Sequence, residues 1–159
     1  MINRQRNSHI WIVSSMDNIN SKRVIDACPS LFETQEGVEL SMHTSSIGMF
    51  GFECGDGWTE ILVTLCEKIQ DHLATLPPEV SKDIVVLQVK EKYGTLRFYL
   101  SSHDEVIDQY VDDAETSSAN TCERCGKPGK VRGRNWVYSA CEEHTREEDL
   151  RAAPDAELL

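Results

Sequence analysis

The stretch IVVLQVKEKYGTLRFYL, residues 84–100, predicts a β-hairpin. Its first half is β-branched and apolar, while its second half alternates, with Leu96, Phe98 and Leu100 on one face. Gly94 lies between the halves and supplies the flexible backbone that a tight turn requires. An apolar face of this kind predicts that helices from the neighbouring sequence pack on the hairpin.

The segment before the hairpin predicts the longest helix, residues 58–76. Asp56 or Gly57 is expected to cap it, and Pro77-Pro78 ends it. Its apolar side chains repeat at helical spacing and share one face: Trp58, Ile61, Leu62, Leu65, Ile69, Leu73 and Leu76.

Two further helices are predicted. After the hairpin, Ser102 and Glu105 have the spacing of a capping box, and an acidic helix with a narrow apolar stripe follows. Near the start of the chain, Ser21 is expected to cap a short helix over 22–27. Residues 10–13 can form a short strand, and the Met49-Phe50-Gly51-Phe52 cluster is expected to be buried.

The predicted fold class is therefore α+β. An antiparallel β-hairpin packs with two main helices, and a C-terminal zinc knuckle follows. The predicted organisation is an α+β domain over 1–119, a zinc-binding module over 120–145 packed on it, and an acidic tail over 146–159.

Charge is unevenly distributed along the chain. The 159 residues have a net charge of −11, of which 31–119 contribute −12 and 142–159 contribute −5, whereas 120–141 carry +4. This balance disfavours a broadly cationic protein that coats nucleic acid or an anionic membrane. No apolar run approaches the roughly 18 residues of a membrane helix. We therefore expect a cytoplasmic protein with reduced or metal-bound cysteines.

The basic segment contains a metal-binding pattern, C-x2-C-x15-C-x2-H. Its ligands are Cys122, Cys125, Cys141 and His144. Each pair places two ligands one tight turn apart, so both can reach one ion, and Gly126 suits the knuckle backbone. Four protein ligands complete a tetrahedral shell, so we predict one structural Zn²⁺ ion rather than a catalytic one.

The residues around these ligands support two interpretations. Basic groups interleaved with an aromatic can contact phosphates and stack on bases. Alternatively, Trp136 and Val137 pack the knuckle on the domain while the basic groups offset the thiolate charge. The candidate nucleic-acid contacts are Arg124, Lys127, Lys130, Arg132, Arg134 and Trp136.

Other chemistry has weaker support. Cys54 lies at the start of the main helix, where a thiol pKa can be lowered, but no catalytic signature accompanies it or the spare histidines. The acidic helix carries Asp104, Asp108, Asp112 and Asp113, which can gather a cation but more simply form a solvated face. No catalytic residue is predicted, and the protein is expected not to be an enzyme.

Three blocks together resemble a family of small uncharacterised proteins of bacteriophages, prophages and their hosts. They are the GFECGDGW block at 51–58, the VKEKYGTLRFY hairpin at 89–99 and the C-terminal CxxC…CxxH knuckle, with the similarity extending over about 22–145. The resemblance implies no catalytic residue. It implies a viral or mobile-element setting in the host cytoplasm, where such proteins often bind and block a host protein.

The leading functional hypothesis is a non-enzymatic, zinc-stabilised protein that binds a host or phage protein. A narrower form of this hypothesis is an antidefence factor, which inhibits the host protein that it binds. The alternative is a nucleic-acid-binding accessory protein that uses the basic knuckle, with the acidic body facing away.

Overall fold

A computed structural model of the chain describes residues 15–32 and 46–150. The helices of these residues are α1 (Asn18–Ala27), α2 (Ser46–Phe50), α3 (Thr59–Leu73), α4 (Pro78–Ser81), α5 (Glu105–Ala119) and α6 (Glu147–Leu150). The strands are β1 (Phe52–Glu53), β2 (Val86–Lys92), β3 (Thr95–Leu100), β4 (Lys130–Arg132) and β5 (Tyr138–Ala140). The α+β class is confirmed.

The predicted hairpin is the centre of a three-stranded sheet in the order β1-β2-β3. β2 and β3 are antiparallel and are joined by a two-residue turn, because Lys92 pairs with Thr95. Both turn residues, Tyr93 and Gly94, have positive φ, as this type of hairpin turn requires. The short β1 adds a parallel pairing with β2, so the sheet is mixed.

One face of this sheet is buried under the helices. Leu96 and Phe98 of β3 point into the core as the alternation predicts, and Val89 of β2 joins them. α1 packs on α3, α3 on α5, and α5 on β3. The predicted apolar face of α3 forms the centre of this core: Trp58, Leu62, Leu65, Ile69 and Leu73 are all buried. Apolar burial is therefore the main source of stability of this core.

The helix boundaries correct several details. α1 begins earlier than predicted, because Asp17 rather than Ser21 is its cap and accepts a hydrogen bond from the Asn20 N–H. α3 has no side-chain cap, since Asp56 accepts a hydrogen bond from the Asp17 N–H instead. α5 is capped by Asp104 rather than Ser102. At α1 and α5 a nearby aspartate, rather than the predicted serine, accepts from the orphan N–H groups.

The Met49–Phe52 cluster was expected to be buried, but of these residues only Phe52 is buried. Met49 and Phe50 are exposed, because they lie on the outer side of the short α2, whereas Phe52 enters the sheet. The predicted strand at 10–13 lies outside the described residues. None of the described helices has the length and apolar character needed to cross a membrane.

Candidate metal centre

The structure brings Cys122, Cys125, Cys141 and His144 into one cluster. Their potential ligand atoms all lie within 4.8 Å of one another. His144 Nδ1 is 3.4 Å from Cys122 Sγ and 3.3 Å from Cys141 Sγ, and Cys125 Sγ is 3.7 Å from Cys141 Sγ. The cysteines form no disulfides. These four residues can hold a metal ion.

The first ligand pair lies on a tight turn. The Gly126 N–H donates to the Cys122 carbonyl at 2.9 Å, and the Cys122 N–H donates to the Lys127 carbonyl at 2.8 Å. Gly126 has φ +74°, in the left-handed region, so a side chain at this position would strain the turn. Cys122 is buried, whereas Cys125 is exposed.

The second pair follows β5. Cys141 precedes a single 3₁₀ turn, Glu142–His144, which brings the His144 ring back toward the Cys141 sulfur. The His144 N–H donates to the Cys141 carbonyl at 3.2 Å, and the Thr145 hydroxyl donates to the same carbonyl at 2.8 Å. This turn explains why two residues separate the two ligands.

The chain after the last ligand is held against the buried ring of Tyr138. The Tyr138 hydroxyl donates to Asp149 at 2.7 Å and accepts from the Arg146 N–H at 3.0 Å. The Arg146 guanidinium lies 4.2 Å from the centre of the same ring. Residues 146–150, predicted as the start of the acidic tail, thus pack on the metal cluster's own hairpin.

The knuckle, residues 120–145, contacts the described residues before it, here called the body, through backbone atoms near Glu123. The Gly57 N–H donates to the Glu123 carbonyl at 2.7 Å, and the Gly55 N–H donates to its carboxylate at 2.9 Å. The buried Trp58 indole donates to the Thr121 carbonyl at 3.1 Å. A Cβ at either glycine would overlap backbone atoms of Cys122 or Glu123. The glycines of the GDG turn therefore permit a close approach that no side chain would allow.

The electrostatics at this junction favour a thiolate at Cys122. Burial raises the pKa of the Cys122 thiol, but backbone N–H groups and the His144 ring outweigh it, so that the pKa falls to about 6. Burial raises the pKa of the Glu123 carboxyl to about 7, although the hydrogen bond from the Gly55 N–H lowers it.

The six candidate nucleic-acid contacts do not form one free basic surface. Arg132 has a side chain only 12% exposed and donates to the Ala140 carbonyl and to Glu142. Lys127 pairs with Glu143 at 2.8 Å. Arg124 lies beside His144 in a groove that also contains carboxylates. Lys130, Arg134 and Trp136 are exposed on the β4–β5 hairpin.

The surroundings of Cys54 do not activate its thiol as a nucleophile. Cys54 is fully buried, and burial raises the pKa of its thiol, with Glu123 and Asp56 raising it further. An activated thiol needs the opposite environment. Cys28 and Cys66 are also fully buried in the body.

Three of the four candidate aspartates have separate partners. Asp104 caps the helix and lies 3.0 Å from His72 Nε2, Asp108 lies 3.5 Å from His103, and Asp113 accepts from Gln109. Among the described residues, the Cys₃His cluster is the one group of metal-ligating side chains that converges.

Comparison of the chain with protein-family models, curated proteins and solved structures finds no match. The resemblance to phage proteins therefore stays a prediction.

The sequence patterns did not identify the role of Glu123, or of Gly55 and Gly57, whose N–H groups donate hydrogen bonds to it. The only local signal was a glycine pair around Asp56, which also fits an ordinary turn.

Proposed function

We propose that this chain is a non-enzymatic, zinc-stabilised protein whose role is to bind another protein. The observation that carries the proposal is the Cys₃His cluster, in which four protein side chains approach one point. Four protein ligands complete the shell of a tetrahedral ion and leave no position for a substrate, so the ion serves the fold.

The donor set supports zinc as the metal. Three thiolates and one imidazole suit a borderline-soft ion and are poor ligands for magnesium or calcium. Tetrahedral zinc places two sulfurs about 3.8 Å apart and a sulfur and a nitrogen about 3.5 Å apart. The separations of 3.7 Å between Cys125 and Cys141, and of 3.3 and 3.4 Å around His144, fit this geometry.

A protein partner agrees with the remaining surface. Cys54 lies in an environment that disfavours a thiolate, and Asp104, Asp108 and Asp113 have partners within the fold. Exposed aromatic side chains are typical of protein interfaces, and Tyr93 and Trp136 are 71% and 61% exposed. The resemblance to phage proteins adds the hypothesis that the partner is a host protein and that binding inhibits it.

Two measurements test this proposal. Metal analysis of the purified chain should return about one zinc per molecule, and Cys122→Ser should lose it, while Cys66→Ala, which changes a thiol in the body, should keep it. Affinity capture from bacterial host lysate should recover one stoichiometric protein. Recovery of no such protein, or a hydrolytic activity that disappears with the zinc, would contradict the proposal.

A second candidate function is binding of single-stranded nucleic acid through the β4–β5 hairpin. It rests on Lys130, Arg134 and the 61% exposed Trp136, which combine positive charge with a stacking surface. Binding should weaken steeply with salt and fall on the double change Lys130→Ala and Arg134→Ala. Absence of DNA and RNA binding at low salt would exclude it.

A further inference from the structure

We infer that Cys125 is an oxidation site through which a peroxide opens the Cys₃His cluster. Peroxide oxidises the Cys125 sulfur, the Cys141 sulfur forms a disulfide with it, and the metal loses two of its ligands. This inference rests on the zinc-stabilised fold of the proposed function. It makes the knuckle the part of the protein that responds to an oxidant, while the body keeps its structure.

The six cysteines of the chain differ in their access to solvent. Cys125 is exposed, whereas the other five are buried. Within the cluster, Cys122 has no exposed surface and Cys141 is 6% exposed. Hydrogen peroxide carries no charge, so the carboxylate of Glu143, which pairs with Lys127 at 2.8 Å, does not repel it. Oxidation follows exposure and thiolate character, and Cys125 is the ligand that combines the two when zinc is bound.

Hydrogen bonds to sulfur strengthen this difference within the first ligand pair. The Cys122 sulfur accepts from the backbone N–H groups of Arg124, Cys125 and Cys141. The Cys125 sulfur accepts from the Lys127 N–H. Each such bond stabilises the charge of a thiolate and lowers its nucleophilicity. The more exposed sulfur of this pair is therefore also the one with fewer backbone donors.

The two sulfurs that react are already neighbours. Cys141 Sγ lies 3.7 Å from Cys125 Sγ. The Cys125 thiolate attacks one peroxide oxygen, the O–O bond breaks, and a sulfenic acid and hydroxide form. The Cys141 thiolate then attacks the sulfenic sulfur, expels a second hydroxide and forms the disulfide. Together the sulfurs lose two electrons, and the peroxide is reduced to two hydroxide ions, which become water on protonation.

Formation of this disulfide removes two of the four metal ligands. Cys122 and His144 remain, and two ligands do not complete the shell of a tetrahedral ion. The affinity of the cluster for zinc therefore falls, and the ion is released. Oxidation of a residue at the surface is in this way converted into a change at the buried end of the knuckle.

The cysteines of the body provide an internal comparison. Cys28, Cys54 and Cys66 have no exposed surface, and burial raises the pKa of each thiol. A buried neutral thiol reacts slowly with peroxide, because the thiolate is the nucleophile. Oxidation should therefore stay confined to the knuckle as long as the body is folded.

The test is titration of the zinc-loaded full chain with hydrogen peroxide, with released zinc measured by a chromogenic chelator. Zinc content is measured before the oxidant is added. About one zinc ion per chain should be released, and peptide mass spectrometry should identify a Cys125–Cys141 disulfide. A 1,3-dione probe, which traps sulfenic acids, should label Cys125. Dithiothreitol with added zinc should restore the zinc content, because a disulfide is reversible and a sulfinic acid is not.

Cys125→His separates the exposed sulfur from the metal site, because an imidazole still offers a fourth ligand. Its release of zinc should be at least about tenfold slower than in the parent. Cys66→Ala is the matched control, since it removes a fully buried thiol of the body and should release zinc at the parent rate. If Cys125→His binds no zinc, the 1,3-dione label on the parent chain decides the question.

Three outcomes would overturn the inference: zinc retained in peroxide, zinc released without a label at Cys125, or a disulfide that joins Cys122 to Cys125 instead. A parent chain that holds no zinc before oxidation would contradict the proposed function itself. A chain that holds zinc and resists peroxide would leave the proposed function standing and contradict this inference alone.

Discussion

The body of this protein and its metal knuckle bury very different material. The body encloses large apolar side chains from α3, the sheet and α5, with Trp58, Leu62, Ile69 and Leu96 fully buried. The buried cluster of the knuckle consists of Cys122, Tyr138, Ala140 and Cys141. Apolar burial can stabilise the first region alone, whereas so small a cluster cannot stabilise the second. The knuckle therefore depends on its ligands and on backbone contacts with the body.

The largest effect is expected where the two regions touch. In Gly57→Ala the new methyl group would overlap the Cys122 carbonyl, so the knuckle must shift or undock at a cost of about 3 kcal/mol. Hydrogen exchange should show lost protection at 120–145 and retained protection in α3.

Gly51→Ala is the control for this change. It adds the same methyl group at a positive φ but meets no atom within 4 Å. It should lower the free energy of unfolding through backbone strain and leave exchange in the knuckle unchanged. Equal loss of protection in both variants would mean that the GDG turn does not hold the knuckle.

An intermediate effect is expected inside the body. The buried Ser118 hydroxyl accepts from the Leu96 N–H at 2.8 Å and donates to the Glu115 carbonyl at 2.6 Å, so it joins α5 to β3. Ser118→Ala leaves a buried N–H without a partner and should cost about 2 kcal/mol in denaturant unfolding.

The neighbouring Ser117 provides the comparison, because it is exposed and bonds only within its own helix. Ser117→Ala should change the free energy of unfolding by less than about 0.5 kcal/mol. Zinc content should stay at the parent value in both serine variants, since neither hydroxyl bonds to a residue of the Cys₃His cluster. Similar costs for the two serines would contradict the described packing of α5 on the sheet.

The smallest effect is expected at the cap of α5. Asp104 accepts from the Val106 and Ile107 N–H groups at 3.0 and 3.1 Å, so Asp104→Ala should cost about 1 kcal/mol. Ser102→Ala, at the residue favoured by the sequence pattern, should cost nearly nothing. A larger loss of stability in Ser102→Ala than in Asp104→Ala would identify Ser102 as the cap.

The contribution of Asp104 should also depend on pH. Burial raises the pKa of this carboxyl, but the two N–H groups and His72 lower it below its ordinary value. A depressed folded-state pKa gives stability that is present above the unfolded value, about 3.9, and is lost as the pH falls through the folded value. The difference in the free energy of unfolding between parent and Asp104→Ala should therefore narrow as the pH falls into strong acid.

Local patterns predicted the features that depend on local spacing. The apolar face of α3, the alternation of β3 and the four ligands are periodic or closely spaced, so the sequence alone identifies them. The parallel pairing of β1 and the docking of Gly57 on Glu123 join residues far apart in the chain. The caps at Asp17 and Asp104 were missed because Ser21 and Ser102, a few positions along the chain, have a similar capping preference. Such choices are decided by tertiary packing.

Removal of the metal tests the central claim most directly. Hydrogen exchange is measured on the full chain with zinc bound and again after chelation. We predict that protection over 120–145 falls to the level of unfolded chain, while the amides of α3 and of the β2–β3 hairpin keep theirs, because the body has its own apolar core. Unchanged protection of the knuckle after complete removal of zinc would contradict the account, as would simultaneous loss of protection in both regions.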